Sequence, residues 1–149
     1  MDGGVWFLAH PLFFRSLRTN RSVALPLRLF QIDDVLLRDA ATETGARNER
    51  RICAAVCNRT ASVEVVHGLL DRIFEVLAIA APAPGALPYE LRDSTDETFF
   101  PGRCVAVHLR DGTRVGVMGA VHPLVLKAFQ LPNPVSLLEL NLHALEKKK

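Results

Sequence analysis

Phe99 to Pro123 is the stretch that most restricts what this chain can fold into, because two apolar runs alternate on either side of a turn dipeptide. Val105, Val107 and Leu109 alternate with Ala106 and His108; Val115, Val117 and Val121 alternate with Gly116, Met118 and Ala120. Asp111-Gly112 between them predicts a β-hairpin closed by a tight type I′ turn, with both residues at positive φ. Pro101-Gly102 is read as the turn into the first strand. His122-Pro123 ends the second and opens a short helix over Pro123–Gln130, where proline sits at a first-turn position.

The remaining elements are sought on either side of this hairpin. Pro11 to Asn20 places Leu12, Phe13, Phe14 and Leu17 at helical spacing around Arg15 and Arg18, an amphipathic helix whose apolar side is read against the sheet. Residues 1–11 carry Trp6 and Phe7 but no clear period, so no element is assigned there. Leu25–Leu37 alternates as a strand region, with Asp33-Asp34 read as a turn or bulge interrupting it. Neighbouring strand residues point to opposite faces, so this acidic pair is a poor chelate. Asp39–Asn48 reads as a loop and Ile52–Cys57 as a short, fully apolar strand.

Ser62–Ile79 is the most regular helix, with Ser62 as its N-cap and a stripe of Val66, Leu69, Leu70, Ile73, Phe74 and Leu77. Gly68 within it suggests close packing against the sheet. His67 and Asp71, one turn apart, are read as a surface pair. The proline-rich Pro82–Pro88 is a linker to a strand around Tyr89–Arg92; Pro132-Asn133-Pro134 is a breaker before a last strand over Val135–Leu142. Helix, strands, helix and antiparallel strands in that order predict an α+β fold with a largely antiparallel sheet flanked by helices.

Composition limits function more by exclusion. A chain of 149 residues, 49% hydrophobic and with a net charge of +2, supports one globular domain and makes no electrostatic case for nucleic acid. Lys147-Lys148-Lys149 reads as a solvated tail. The apolar Val5–Phe14 is too short to span a bilayer, and Asp2 stands where a signal peptide would be basic, so a cytoplasmic protein without a membrane partner is expected. Three cysteines suit reduced thiols. Cys53 and Cys57 lie four residues apart, roughly 13 Å on a strand, too far for one zinc ion. No metal site is expected.

Six blocks carry a family resemblance: Leu25-Pro-Leu-Arg-Leu-Phe-Gln-Ile, Gly45-Ala-Arg-Asn-Glu-Arg-Arg-Ile-Cys-Ala, Val66-His-Gly-Leu-Leu-Asp-Arg, Phe99-Phe-Pro-Gly-Arg-Cys, Gly119-Ala-Val-His-Pro and Leu138-Glu-Leu-Asn-Leu. In this order they resemble the C-terminal core of the β subunit of cytosolic, eukaryotic-type phenylalanyl-tRNA synthetase. The resemblance spans residues 12–145, leaving 1–11 unplaced and 146–149 as a basic tail. It implies a fold similar to class II aminoacyl-tRNA synthetase catalytic domains and a module that is catalytically idle. ATP, magnesium and phenylalanine would belong to the parent complex of two α and two β chains, and tRNA would be met only through that complex.

The residues agree with idleness. A class II site needs arginines that clamp phosphates, whereas the corresponding strand reads Phe30-Gln31-Ile32, with Arg28 and Arg47 the nearest stand-ins. No catalytic or cofactor-binding residue is assigned. His108 and His122 are read as a strand-face and a turn residue. The expected interface residues are Trp6, Phe7, Leu12, Phe13, Phe14 and Leu17, too many large side chains for one short helix to bury. They imply packing against the α subunit and self-association of the chain alone. The alternative is a free-standing binding module that kept the fold without a role in aminoacylation.

Overall fold

The computed structural model describes residues 10–147. Helix α1 (His10–Thr19) is followed by β1 (Leu27–Arg38), β2 (Ala46–Cys57), α2 (Val63–Val76) and β3 (Tyr89–Asp93). Then come β4 (Phe99–Leu109), β5 (Arg114–Val121), α3 (Pro123–Ala128), β6 (Val135–Asn141) and α4 (Leu142–Glu146). The strands form one six-stranded sheet in the order β1-β2-β6-β5-β4-β3. Every neighbouring pair is antiparallel, which agrees with the expected fold class.

Both faces of the sheet are packed. On the first face Cys53, Ala55, Cys57, Val117, Val135 and Leu137 meet Phe13, Phe14 and Leu17 of α1, with Val125 and Leu126 of α3 at the margin. On the second, Val56, Met118, Leu138 and Leu140 meet Val66, Leu70 and Phe74 of α2 and Leu145 of α4. Helices on both faces explain why β6 is buried along almost its whole length, Val135 through Leu140, rather than alternating.

β1 corrects the sequence reading. It runs uninterrupted through Asp33-Asp34, in register with Arg51 and Arg50 of the partner strand. Arg50 donates to both Asp34 oxygens at 2.9 and 3.2 Å, and that hydrogen bond holds the Asp34 carboxyl below its usual pKa. This cross-strand pair holds Asp34 in the strand, and Asp33 accepts from the Gln31 side chain two residues before it. β2 likewise starts at Ala46, well before the expected Ile52, since its polar half is paired with the polar half of β1.

The hairpin is present, but its turn differs. Gly112 alone takes positive φ, +88°, while Asp111 does not. The Gly112 N–H donates to the Leu109 carbonyl at 2.9 Å, and the Leu109 N–H donates to Thr113 at 2.8 Å. This is a three-residue loop with glycine in the left-handed position, not a type I′ turn. The Asp111 carboxylate accepts from the Thr113 N–H at 2.9 Å, which is how aspartate serves this turn without positive φ. Pro101-Gly102 lies inside β4 instead of before it, in a bulge between Phe99 and Cys104. Gly119 lets that bulge close, since a Cβ there would lie 2.2 Å from the Arg103 carbonyl oxygen.

α2 begins at Val63 after Ser62 as expected, yet the Ser62 side chain does not cap it. Its hydroxyl donates to the Thr60 carbonyl instead. Gly68 does not mark close packing: it is exposed, and a Cβ would have nothing within 4 Å.

Candidate functional site

Of the residues expected to form a subunit interface, Phe13, Phe14 and Leu17 are buried in the chain's own core. Phe14 stacks on Phe129 at 5.0 Å between ring centroids. One helical turn holds all three because they share the face turned to the sheet, so they offer no contact surface. Leu12 points away and is 57% exposed. Trp6 and Phe7 lie outside the described residues.

The polar end of the first face holds a buried ion cluster that sequence reasoning missed. Arg51 and Glu139 sit on adjacent strands within the register that pairs Cys53 with Glu139. The Arg51 side chain is 2% exposed and that of Glu139 0%. Arg51 Nε donates to Glu49 Oε1 at 2.8 Å, and Nη1 donates to Glu139 Oε1 at 3.3 Å. A guanidinium presents a planar fork to carboxylates, and here the fork is turned onto two of them. The signal was available: Glu139 is a lone charge inside the apolar run from Val135 to Leu140. Such a residue is buried only when paired.

A second polar constellation joins α2 to β3. The Tyr89 hydroxyl lies 2.9 Å from His67 Nε2 and donates to the Asp71 carboxylate. Burial, then the Asp71 hydrogen bond, push the tyrosine pKa up. His67 and Asp71 therefore converge on a buried ring rather than pairing at the surface. Tyr89 packs on Phe74 at 5.0 Å, so the arrangement fastens the helix to the sheet.

The remaining residues singled out from the sequence stay apart. Arg28 is exposed on β1, and Arg47 lies 3.8 Å from Asp39 and 3.7 Å from Glu49. His122 caps α3, its Nδ1 accepting from the Leu124 N–H at 3.0 Å. His108 sits on β4, where burial lowers its pKa. Cys53, Cys57 and Cys104 are free and buried; desolvation raises all three thiols, Cys104 to about 11. Among the described residues no group of three His, Cys, Asp or Glu side chains could hold a metal ion. Nor is any helix there long and apolar enough to cross a membrane.

The geometry thus defines an α+β domain in which the Arg51 and Tyr89 clusters are closed on their own residues. A family model described as the phenylalanyl tRNA synthetase beta chain CLM domain matches residues 10–142. The chain belongs to this family. The phenylalanine–tRNA ligase β subunit of Drosophila melanogaster is 48% identical over 130 residues, 87% of this chain and 22% of that protein. The human β subunit is 40% identical over 131 residues, 88% of this chain and 22% of that one. The Arabidopsis thaliana β subunit, named cytoplasmic, is 35% identical over 143 residues, 91% of this chain and 24% of that one. The chain therefore spans less than a quarter of the length of these relatives.

Proposed function

We propose that this chain is a structural, non-catalytic domain of a phenylalanine–tRNA ligase β subunit, packing against an α subunit and supporting ATP-dependent charging of tRNA with phenylalanine. Family membership supplies the parent reaction. The six-stranded antiparallel sheet flanked by helices is compatible with the class II synthetase-like fold that the resemblance implies.

The observation that supports the idle reading is how the arginines of β1 and β2 are placed: Arg28 is exposed on β1, Arg47 lies beside Asp39 and Glu49, and Arg51 is buried. A phosphate-clamping arginine must offer its fork to a ligand. Arg51 is buried and its fork is directed at Glu49 and Glu139. Two carboxylates beside a guanidinium also repel an incoming phosphate, so these residues do not fit a nucleotide. ATP, magnesium and phenylalanine are assigned in this reading to the α subunit, and tRNA to the assembled complex.

Two assays test it. Phenylalanine-dependent ATP–pyrophosphate exchange is expected to be absent from the chain alone. On co-expression, an α subunit of the eukaryotic type is expected to co-elute with it. Exchange by the chain alone that disappears in Arg28→Ala or Arg47→Ala would show the idle reading to be wrong, and failure to co-elute would remove the partner.

A further inference from the structure

Among the described residues, β1 has a strand neighbour on one side only. Its free edge runs twelve residues, Leu27–Arg38, and carries Phe30 at 67% and Ile32 at 48% exposure on the second face. α2 packs over β2, β5 and β6 and leaves that part of β1 open. Between them lies a groove of about 370 Å³ lined by Phe30, Ala54, Val56, Val65 and Leu69. A long apolar edge is a template for another strand.

We propose that this edge pairs antiparallel with the same edge of a second copy, about a two-fold axis beside Gln31. A two-fold axis normal to the sheet keeps each face on its own side, so only residues of equal parity can stand opposite one another. With Gln31 opposite its own counterpart, Phe30 faces Ile32 of the second copy and Arg28 faces its Asp34; symmetry makes each contact twice. On the first face Leu27 faces Val35. On the second face the strand is therefore complementary to itself in both charge and apolar contact, while on the first Leu29 faces Asp33, whose carboxylate accepts from Gln31 Nε2.

Neighbouring registers lose this match. Centring on Ile32 sets Asp34 against Phe30 and Arg28 against Leu36, and centring on Phe30 sets Arg28 against Ile32, so both lose the Arg28–Asp34 pair. Centring on Asp33 brings two Asp33 carboxylates together and Arg28 against Arg38. Asp34 is held by Arg50, but its side chain is still 43% exposed and has room for a second arginine. A second copy fits this edge because, on the second face, the strand's own residues, reversed, supply what each position needs.

The test is sizing chromatography with light scattering on the whole chain over about a hundredfold range of concentration. A species of twice the 16.4 kDa chain mass is expected at the upper end. Phe30→Lys and Arg28→Asp should each move its dissociation midpoint about tenfold or more to higher concentration. Both positions are exposed, and circular dichroism melts check that each variant folds. Gln31→Cys should form a disulfide-linked dimer on oxidation, whereas Asp33→Cys, which faces Leu29, should not. A monomer at every concentration, or a dimer that resists both substitutions and is not linked through Gln31→Cys, overturns the pairing. Loss of α-subunit co-elution in Phe30→Lys would place that subunit on this edge instead and also overturn it. The proposal stands apart from the idle reading, since a monomer that still co-elutes with the α subunit would defeat only the self-pairing.

Discussion

Gly112 and Gly68 are the same residue type with opposite consequences, because backbone conformation decides what a side chain would do. At φ +88° Gly112 occupies the left-handed region, where a β-branched residue is strained. Gly112→Val is expected to destabilise by about 1 kcal/mol or more. Gly68 sits in the interior of α2 with open space around its missing Cβ. Gly68→Ala should therefore stabilise by about 0.5–1 kcal/mol through helix propensity and a less disordered unfolded chain. Thermal melts of the two variants, one midpoint down and one up, check both. Phe13 behaves as core for the same local reason: Phe13→Ser should cost about 3 kcal/mol or more, measured by urea unfolding, rather than expose an interface.

Elements are joined here by side chains that their own sequences do not explain. Arg51 of β2 and Glu139 of β6 meet because the register brings the strands together, 88 residues apart in the chain. Removing one partner of a buried pair strands the other charge, so Arg51→Ala is expected to lower stability by about 3–5 kcal/mol. Adding Glu139→Gln to it should recover part of that loss. Urea denaturation of the single and double variants measures the difference, and equal stability of wild type and Arg51→Ala would mean the cluster holds nothing together. The site was partly legible: Glu139 could be flagged as a charge in an apolar run. Its partner could not, nor could the convergence of His67 and Asp71 on Tyr89, since nothing local relates positions so distant in the chain.

At the scale of the whole molecule, the three cysteines report on whether the first packed face stays closed. Cys53, Cys57 and Cys104 belong to the core of the first face, and their raised pKa values suppress the reactive thiolate. Disulfide-exchange reagents at pH 8 are expected to label none of these three thiols quickly in the native chain and all of them in denaturant. The labelling rate should follow opening of the core. Fast labelling of Cys104 alone would show that the β4 bulge opens independently. The alternations around Asp111-Gly112, the 3.6-residue stripe of α2 and the proline breakers needed only local physics, which is why fold class, the positions of α1, α2 and α3 and most strands could be read from the sequence alone, whereas α4 was not expected. The tertiary structure decided the rest. Pairing with β2, including the Arg50–Asp34 ion pair, turned Asp33-Asp34 from a break into the middle of β1, and the sheet drew Phe13, Phe14 and Leu17 inward while leaving Phe30 and Ile32 outside. Burial and cross-strand charge pairing depend on which distant segments become neighbours, and an amphipathic pattern shows only that a face needs covering, not what covers it.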